Sequence, residues 1–234
     1  LKDLPNSGEI TTTLLSVKTL KEQYQVRLSF HPDQFTLLSS PRPEVTAASL
    51  RAPDYQVTLA SLIGADVINI HGGGVYGDKK RALARLVEQA SALAEPIRSR
   101  LTLENDDRSY TVKDLLPVCA KLSIPLVYDV HHHRCNPDGL TVGEATAVCL
   151  QSWRQLGREP HFHISSPKHG LQGKPQPHPH LIDIADFPAE GQWLDATIDV
   201  EAKAKELAVL KLQQELALPE WHEAKDQPVP AIER

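Results

Sequence analysis

The 234-residue chain contains no methionine and opens on Leu1. Translation starts on methionine, so further sequence is expected upstream. Cysteine is scarce as well: Cys119, Cys135 and Cys149 are odd in number, far apart and in no CxxC pair. That pattern argues against a disulfide framework and fits a reducing compartment. No apolar run reaches the roughly 18 residues that a membrane-spanning helix needs, and LKDLPNSGEI lacks the basic and apolar regions of a signal peptide. A cytoplasmic protein with no membrane partner is expected. Positive charge is in deficit, with 25 Lys and Arg against 30 Asp and Glu. The resulting net charge of −5 disfavours a phosphate backbone as partner unless bound cations reverse the sign locally. No GxGxxG follows the first strand-like run and no GxxxxGK(S/T) occurs, so neither a dinucleotide fingerprint nor Walker chemistry is supported.

What is present is a chain with 41% apolar residues and mixed charge, enough for one globular core. A single domain over residues 1–220 is expected, since α/β barrels run to about 250 residues, with 221–234 as a surface tail. Six strand-like runs recur: VRLSF (26–30), DVINI (66–70), LTL (101–103), PLVYD (125–129), HFHI (161–164) and ATIDV (196–200). Stretches of helical period follow at 45–62, 80–95, 111–122 and 141–156, and again from 201, with a lone one at 13–24. In the second of these, Leu83, Leu86, Val87, Ala90 and Leu93 make one apolar face. Thr141 and Glu144 have capping-box spacing and predict a helix start. Strands alternating with helices define right-handed βαβ units and a parallel sheet. The fold class is therefore α/β, read as a TIM (β/α)8 barrel whose first two strands are absent from this chain. An open doubly wound sheet is the alternative.

The informative regularity is what closes each strand. His31, His71, Glu104, Asp129, His163 and Glu201 stand at or just past the six strand ends. Because strand side chains alternate, Ser29 shares a face with His31, Asn69 with His71, Thr102 with Glu104 and Val127 with Asp129. Leu28, Phe30, Ile68, Ile70, Leu101 and Leu103 face the other way, toward covering helices. A barrel would then carry a ring of imidazoles and carboxylates at its C-terminal mouth, where such barrels place their active sites. Mixed His and carboxylate sets suit Zn2+, Mn2+ or Fe2+, and Glu104 suits a bridging role. The glycines of HGGGVYGDK form either a tight turn near a ligand or a flexible one. Lys79, Lys80 and Arg81 open the next helix as a solvated face or a phosphate-facing one. Asp106 and Asp107 read as capping or turn residues. In HPDQF, an exposed Phe35 would be placed to stack on a base.

Taken in order, RLSFHPDQFTLLSSP, INIHGGGVYGDK, LTLENDD, YDVHHHRCNP, HISSPKHG and IDVEAKAKELAVLKL resemble the UV damage endonuclease family, related to endonuclease IV and the xylose isomerase-like barrels. The resemblance runs from about residue 10 to residue 215. It implies metal ligands at His31, His71, Glu104, Asp129, His132, His163, His178 and Glu201, for up to three divalent ions, usually Mn2+, with Zn2+ or Mg2+ as alternatives. Glu104, Glu201 and Asp129 become the catalytic carboxylates. Gln34 and Phe35 become lesion probes, and Lys79 and Lys168 contacts to the duplex. The implied activity is nicking of UV-damaged double-stranded DNA immediately 5′ to the photoproduct, by a monomer. His161 departs from the pattern, since many relatives have a lysine facing the metals there, and His178 is favoured over His180. His131 and His133 are expected to support His132, with Cys135 a bystander. A metal-dependent sugar isomerase, an abasic-site endonuclease and a non-catalytic DNA-binding protein are the competing readings.

Overall fold

The computed structural model describes residues 4–32, 36–172, 177–189, 193 and 195–218, with backbone alone for 50–55. Six strands, β1 (Ser29–Phe30), β2 (Val67–His71), β3 (Leu101–Glu104), β4 (Leu126–Asp129), β5 (His161–Ile164) and β6 (Thr197–Val200), form one parallel sheet in the order β1-β2-β3-β4-β5-β6. Chain order equals spatial order, so the sheet has no topological switch point and is not doubly wound. It is also strongly curved. Strands lie about 4.8 Å apart, so four intervals would separate β1 from β5 by roughly 19 Å in a flat sheet. The rings of His31, just past β1, and His163 on β5 have centroids 5.5 Å apart. The sheet is thus an arc of a barrel whose inner face closes on itself.

The helices are α1 (Ser7–Gln23), α2 (Pro43–Ile63), α3 (Lys79–Ser91), α4 (Glu95–Arg98), α5 (Val112–Leu122), α6 (Val130–Cys135), α7 (Val142–Arg154) and α8 (Glu206–Glu215). The helix expected over 80–95 is split in two. Pro96 sits in the first turn of α4, where its missing N–H costs nothing, whereas in a continuing helix its ring would clash with the preceding turn. The capping box at Thr141 and Glu144 is present, and Thr111 with Asp114 forms a second one at α5. A short helix, α6, occupies what the sequence presents as a loop after β4. The final helix starts at Glu206 rather than at 201, after Lys205 turns the chain at φ 51°. Strand β1 is shorter than the expected 26–30, pairing with β2 only through Ser29 and Phe30. Among the described residues no helix is long and apolar enough to cross a membrane.

The main core lies between the outer face of the sheet and the helices, where Ile70, Leu86, Leu103, Leu115, Trp153 and Phe162 are buried. At the N-terminal end of the strands, Arg27 donates to both carboxylate oxygens of Asp66 and crosses to the Pro160 carbonyl at 3.0 Å and Thr197 Oγ1 at 3.1 Å. Arg27 and Arg158 both approach the Trp153 ring, at 5.7 and 5.1 Å. This floor ties β1 to β5 and β6 and sets the curvature that brings the strand ends together above it.

Candidate metal centre

Register puts the strand ends at one level. His71 lies opposite Glu104, and Asp129 opposite His163. The expected division of faces holds: Thr102 Oγ1 donates to Asn69 Oδ1 at 2.8 Å, and Asn69 Nδ2 donates to Glu104 Oε2, all inside the arc. Glu104 is wholly buried at the centre. His31 Nε2 lies 3.2 Å from its Oε2, while His132 Nδ1 and His163 Nδ1 lie 3.2 and 3.3 Å from its Oε1. His163 Nδ1 is also 3.2 Å from Glu201 Oε1.

Strand β4 delivers two of these side chains through local hydrogen bonding. Asn105 clamps the end of β4, accepting from the Asp129 amide at 3.0 Å and donating to its carbonyl at 2.9 Å. Asp129 then N-caps α6, its Oδ1 accepting from the His132 amide at 2.8 Å. That turn swings the His132 ring back over Glu104, with Nδ1 3.0 Å from the Asn105 carbonyl oxygen. The flanking histidines differ. His133 Nδ1 meets the Tyr128 hydroxyl at 2.6 Å and His133 Nε2 is 3.4 Å from Asp138, so this ring is engaged within the fold. His131 is buried beside His178, with Cys135 Sγ 3.9 Å from its Nε2.

Electrostatics follow from this crowding. Burial opposes ionisation of Glu104, yet His163, His71 and His132 around it hold the carboxyl well below its usual range. Glu201 is lowered in the same sense, chiefly by His163 against its own burial. Burial opposes charge on His132, but Asp129 and Glu104 push it up to about 10. His163 and His31 are raised against burial by Glu104. The surroundings thus favour the anionic form of Glu104 and Glu201, and a cation would compete with the protons of the imidazoles around them.

Four buried atoms here lack any hydrogen-bond partner: Glu104 Oε1, Asp129 Oδ2, His71 Nδ1 and His163 Nδ1. Three of them stand in close imidazole–carboxylate contacts that are not aligned as hydrogen bonds, and such a convergence of donor atoms fits a cation. Two donor groups each lie within 4.8 Å of one another, one of His31, Glu104, His163 and Glu201, the other of Glu104, Asp129 and His132. Glu104 belongs to both, as a bridging ligand would. His71 stands beside them, its ring 5.3 Å from His31 and 5.9 Å from His132. His178 is further out, with Nδ1 2.7 Å from Ser165 Oγ and Nε2 3.6 Å from Glu201, whereas His180 is exposed. His31, His71, His132, His178 and Glu201 share a cavity of about 520 Å³ with the Asp106 turn.

The remaining candidates are less concentrated. Lys79 Nζ is 2.7 Å from Asp114 Oδ2 and lies over the Tyr110 ring, and Lys168 is exposed. Gln34 and Phe35 lie outside the described residues. Asp106 accepts the amides of Arg108, Ser109 and Tyr110, in line with a turn role. The glycine run packs against the protein itself: a Cβ on Gly72 would come within 2.7 Å of the Tyr110 ring, and one on Gly73, at φ +83°, within 2.5 Å of Ser39 Oγ. Asn69 and Asn105 organise the centre but carried no signal as ligands. Asn69 was legible only as the inner-face neighbour of His71.

Fold and site together define a parallel barrel arc that gathers imidazoles and carboxylates at its mouth in groups that could hold a metal ion. The family model for UV-endonuclease UvdE matches residues 6–233. The UV DNA damage endonuclease of Bacillus velezensis is 39% identical over 208 residues, 85% of this chain, and that of Bacillus thuringiensis is 34% identical over 218 residues, 90% of this chain. The chain belongs to the UV-endonuclease UvdE family. It spans 64% of the length of the first relative and 68% of the second. The crystal structure of SacUVDE superposes with a TM-score of 0.81 at 27% identity, covering 90% of this chain and 73% of that one. Endonuclease IV from Thermus thermophilus shares the fold at a TM-score of 0.62 and 18% identity, over 88% of this chain and 82% of its own.

Proposed function

We propose that this chain carries the cation centre of a metal-dependent endonuclease that nicks duplex DNA immediately 5′ to UV photoproducts, leaving a 3′-hydroxyl and a 5′-phosphate. The observation that supports it most is Glu104: wholly buried, shared by both donor groups, its carboxyl held well below the usual range by the surrounding imidazoles, and with Oε1 close to two of them but in no aligned hydrogen bond. His31, His163 and Glu201 would hold one ion with it, and Asp129 and His132 another, with His71 and His178 completing the set. Bound divalent ions, Mn2+ in this reading, supply Lewis acidity to the scissile phosphate and the attacking water and neutralise the departing oxygen.

The chain's own residues set that chemistry up. Asn69 and Asn105 fix Glu104 and Asp129 before substrate arrives, so little reorganisation accompanies the reaction. Glu201, partly exposed at the cavity, is placed to accept a proton from the attacking water. Cations held by these residues would reverse the sign where the phosphate approaches, which answers the objection from a net charge of −5. Phe35 and Gln34 test the duplex, and Lys168 and Lys79 contact phosphates, Lys79 after release from Asp114. Lesion choice comes from deformability: a photoproduct weakens stacking, so kinking and flipping cost less there. Residues 1–220 act as one unit and the protein works as a monomer.

Supercoiled plasmid, irradiated or not, is incubated with the protein, with Mn2+ and with chelator. Nicking confined to irradiated plasmid and abolished by chelator is expected. Equal nicking of intact and irradiated plasmid would defeat the reading.

A further inference from the structure

Below the Glu104 centre, two side chains inside the arc remain unused. His161 opens β5 and is buried, and its Nε2 lies 2.9 Å from Asp199 Oδ2 on β6. Neither ring nitrogen of His161 makes a hydrogen bond, so the contact is close without being aligned for one. The same Asp199 oxygen is 3.6 Å from His163 Nε2, the nitrogen opposite the one that faces Glu104 and Glu201. Register accounts for the grouping. His163 pairs with Asp199 and His161 with Thr197, so His161, His163 and Asp199 share the inner face across one pleat.

We propose that His161, Asp199 and Nε2 of His163 form a second cation site, one layer deeper in the barrel than the Glu104 centre, for a borderline transition ion such as Zn2+. One donor atom from each of the three residues lies within 4.8 Å of the others. Donors about 2.1 Å from one tetrahedral ion sit about 3.4 Å apart. The observed separations of 2.9 and 3.6 Å bracket that spacing. Two imidazoles and a carboxylate are also a donor set that Zn2+ takes when a fourth position stays open.

The shared ring couples the two sites. A neutral imidazole has one lone pair and one N–H. With Nδ1 ligating the upper centre, Nε2 carries the proton and faces Asp199. With Nε2 ligating the deeper ion, Nδ1 carries the proton and faces Glu104 and Glu201. Ions in the two sites therefore compete for His163, and filling one weakens the other.

The test removes that competition. The full chain carrying Glu104→Gln is stripped with chelator and titrated with Zn2+ by calorimetry, with bound ions counted by mass spectrometry after desalting. One Zn2+ per chain is expected to persist, and adding Asp199→Asn or His161→Phe weakens it at least tenfold. Asp199→Asn is nearly isosteric at a half-exposed position, and circular dichroism checks each fold. Glu201→Gln replaces Glu104→Gln as background if the latter is unfolded. No Zn2+ in the background variant, or equal affinity with and without Asp199→Asn, overturns the proposal. Ion counting is independent of nicking, so failure of the nuclease reading and failure of this site are told apart.

Discussion

Replacing Glu104 by Gln keeps the shape of the side chain and removes the charge that both donor groups share. Mn2+ held at 100 times its dissociation constant stabilises a folded chain by about 2.7 kcal/mol. In a chain of this size each kcal/mol raises Tm by roughly 2–4 °C, so wild type should gain about 5–11 °C. Loss of a supporting group already costs about 10–100-fold in metal affinity, and loss of a shared anionic ligand should cost about 100-fold or more. At the same Mn2+ concentration the variant then sits near its own dissociation constant, and stabilisation from this centre falls to about 0.4 kcal/mol, or roughly 1 °C. The metal-free variant should also melt lower, because His132 and His163 lose the carboxylate that keeps them charged in a buried place. Differential scanning calorimetry with and without Mn2+ reads both effects. A Mn2+-induced rise within 1 °C of the wild-type rise would refute Glu104 as the shared ligand.

Gly73→Ala places a methyl 2.5 Å from Ser39 Oγ at φ +83°, and should lower stability by about 1–3 kcal/mol in a urea melt while displacing the loop that follows His71. Asp66 is held below the usual carboxylate range against its burial by the Arg27 guanidinium, so its contribution is present above about pH 4 and lost as pH falls through the lowered value. Since the Asp66 side chain is 46% exposed, solvent screening limits the pair to about 0.5–1 kcal/mol. Asp66→Asn should lower the urea midpoint at pH 7 and leave it nearly unchanged at pH 2; an equal loss at both values would count against the ion pair. Phe35→Ala should weaken binding to irradiated duplex by about 1–3 kcal/mol in fluorescence anisotropy without altering the Mn2+-induced Tm rise, and unchanged binding would remove it from the interface.

The sequence alone carried the alternation that sets His71, Glu104, Asp129 and His163 on one face of their strands, because side-chain period two is a local property of extended backbone. It also carried the order of the strands and of the longer helices, though not α4 or α6, together with the box at Thr141 and the family. Tertiary structure decided which of those side chains meet. Curvature, accompanied by Arg27 reaching from just before β1 across to Pro160 and Thr197, sets His31 next to His163 across four strand intervals. Within HHHR, three identical side chains diverge only when Asp129 caps α6 and turns His132 inward, leaving His133 to Tyr128 and Asp138. His178 and His180 are likewise equivalent in sequence, and only the approach of Glu201 on a different segment separates them. His161 read as a departure from a pattern. Its neighbour Asp199 acquires meaning only through the β5 to β6 register, since pairing between strands is a long-range fact that no window of sequence contains.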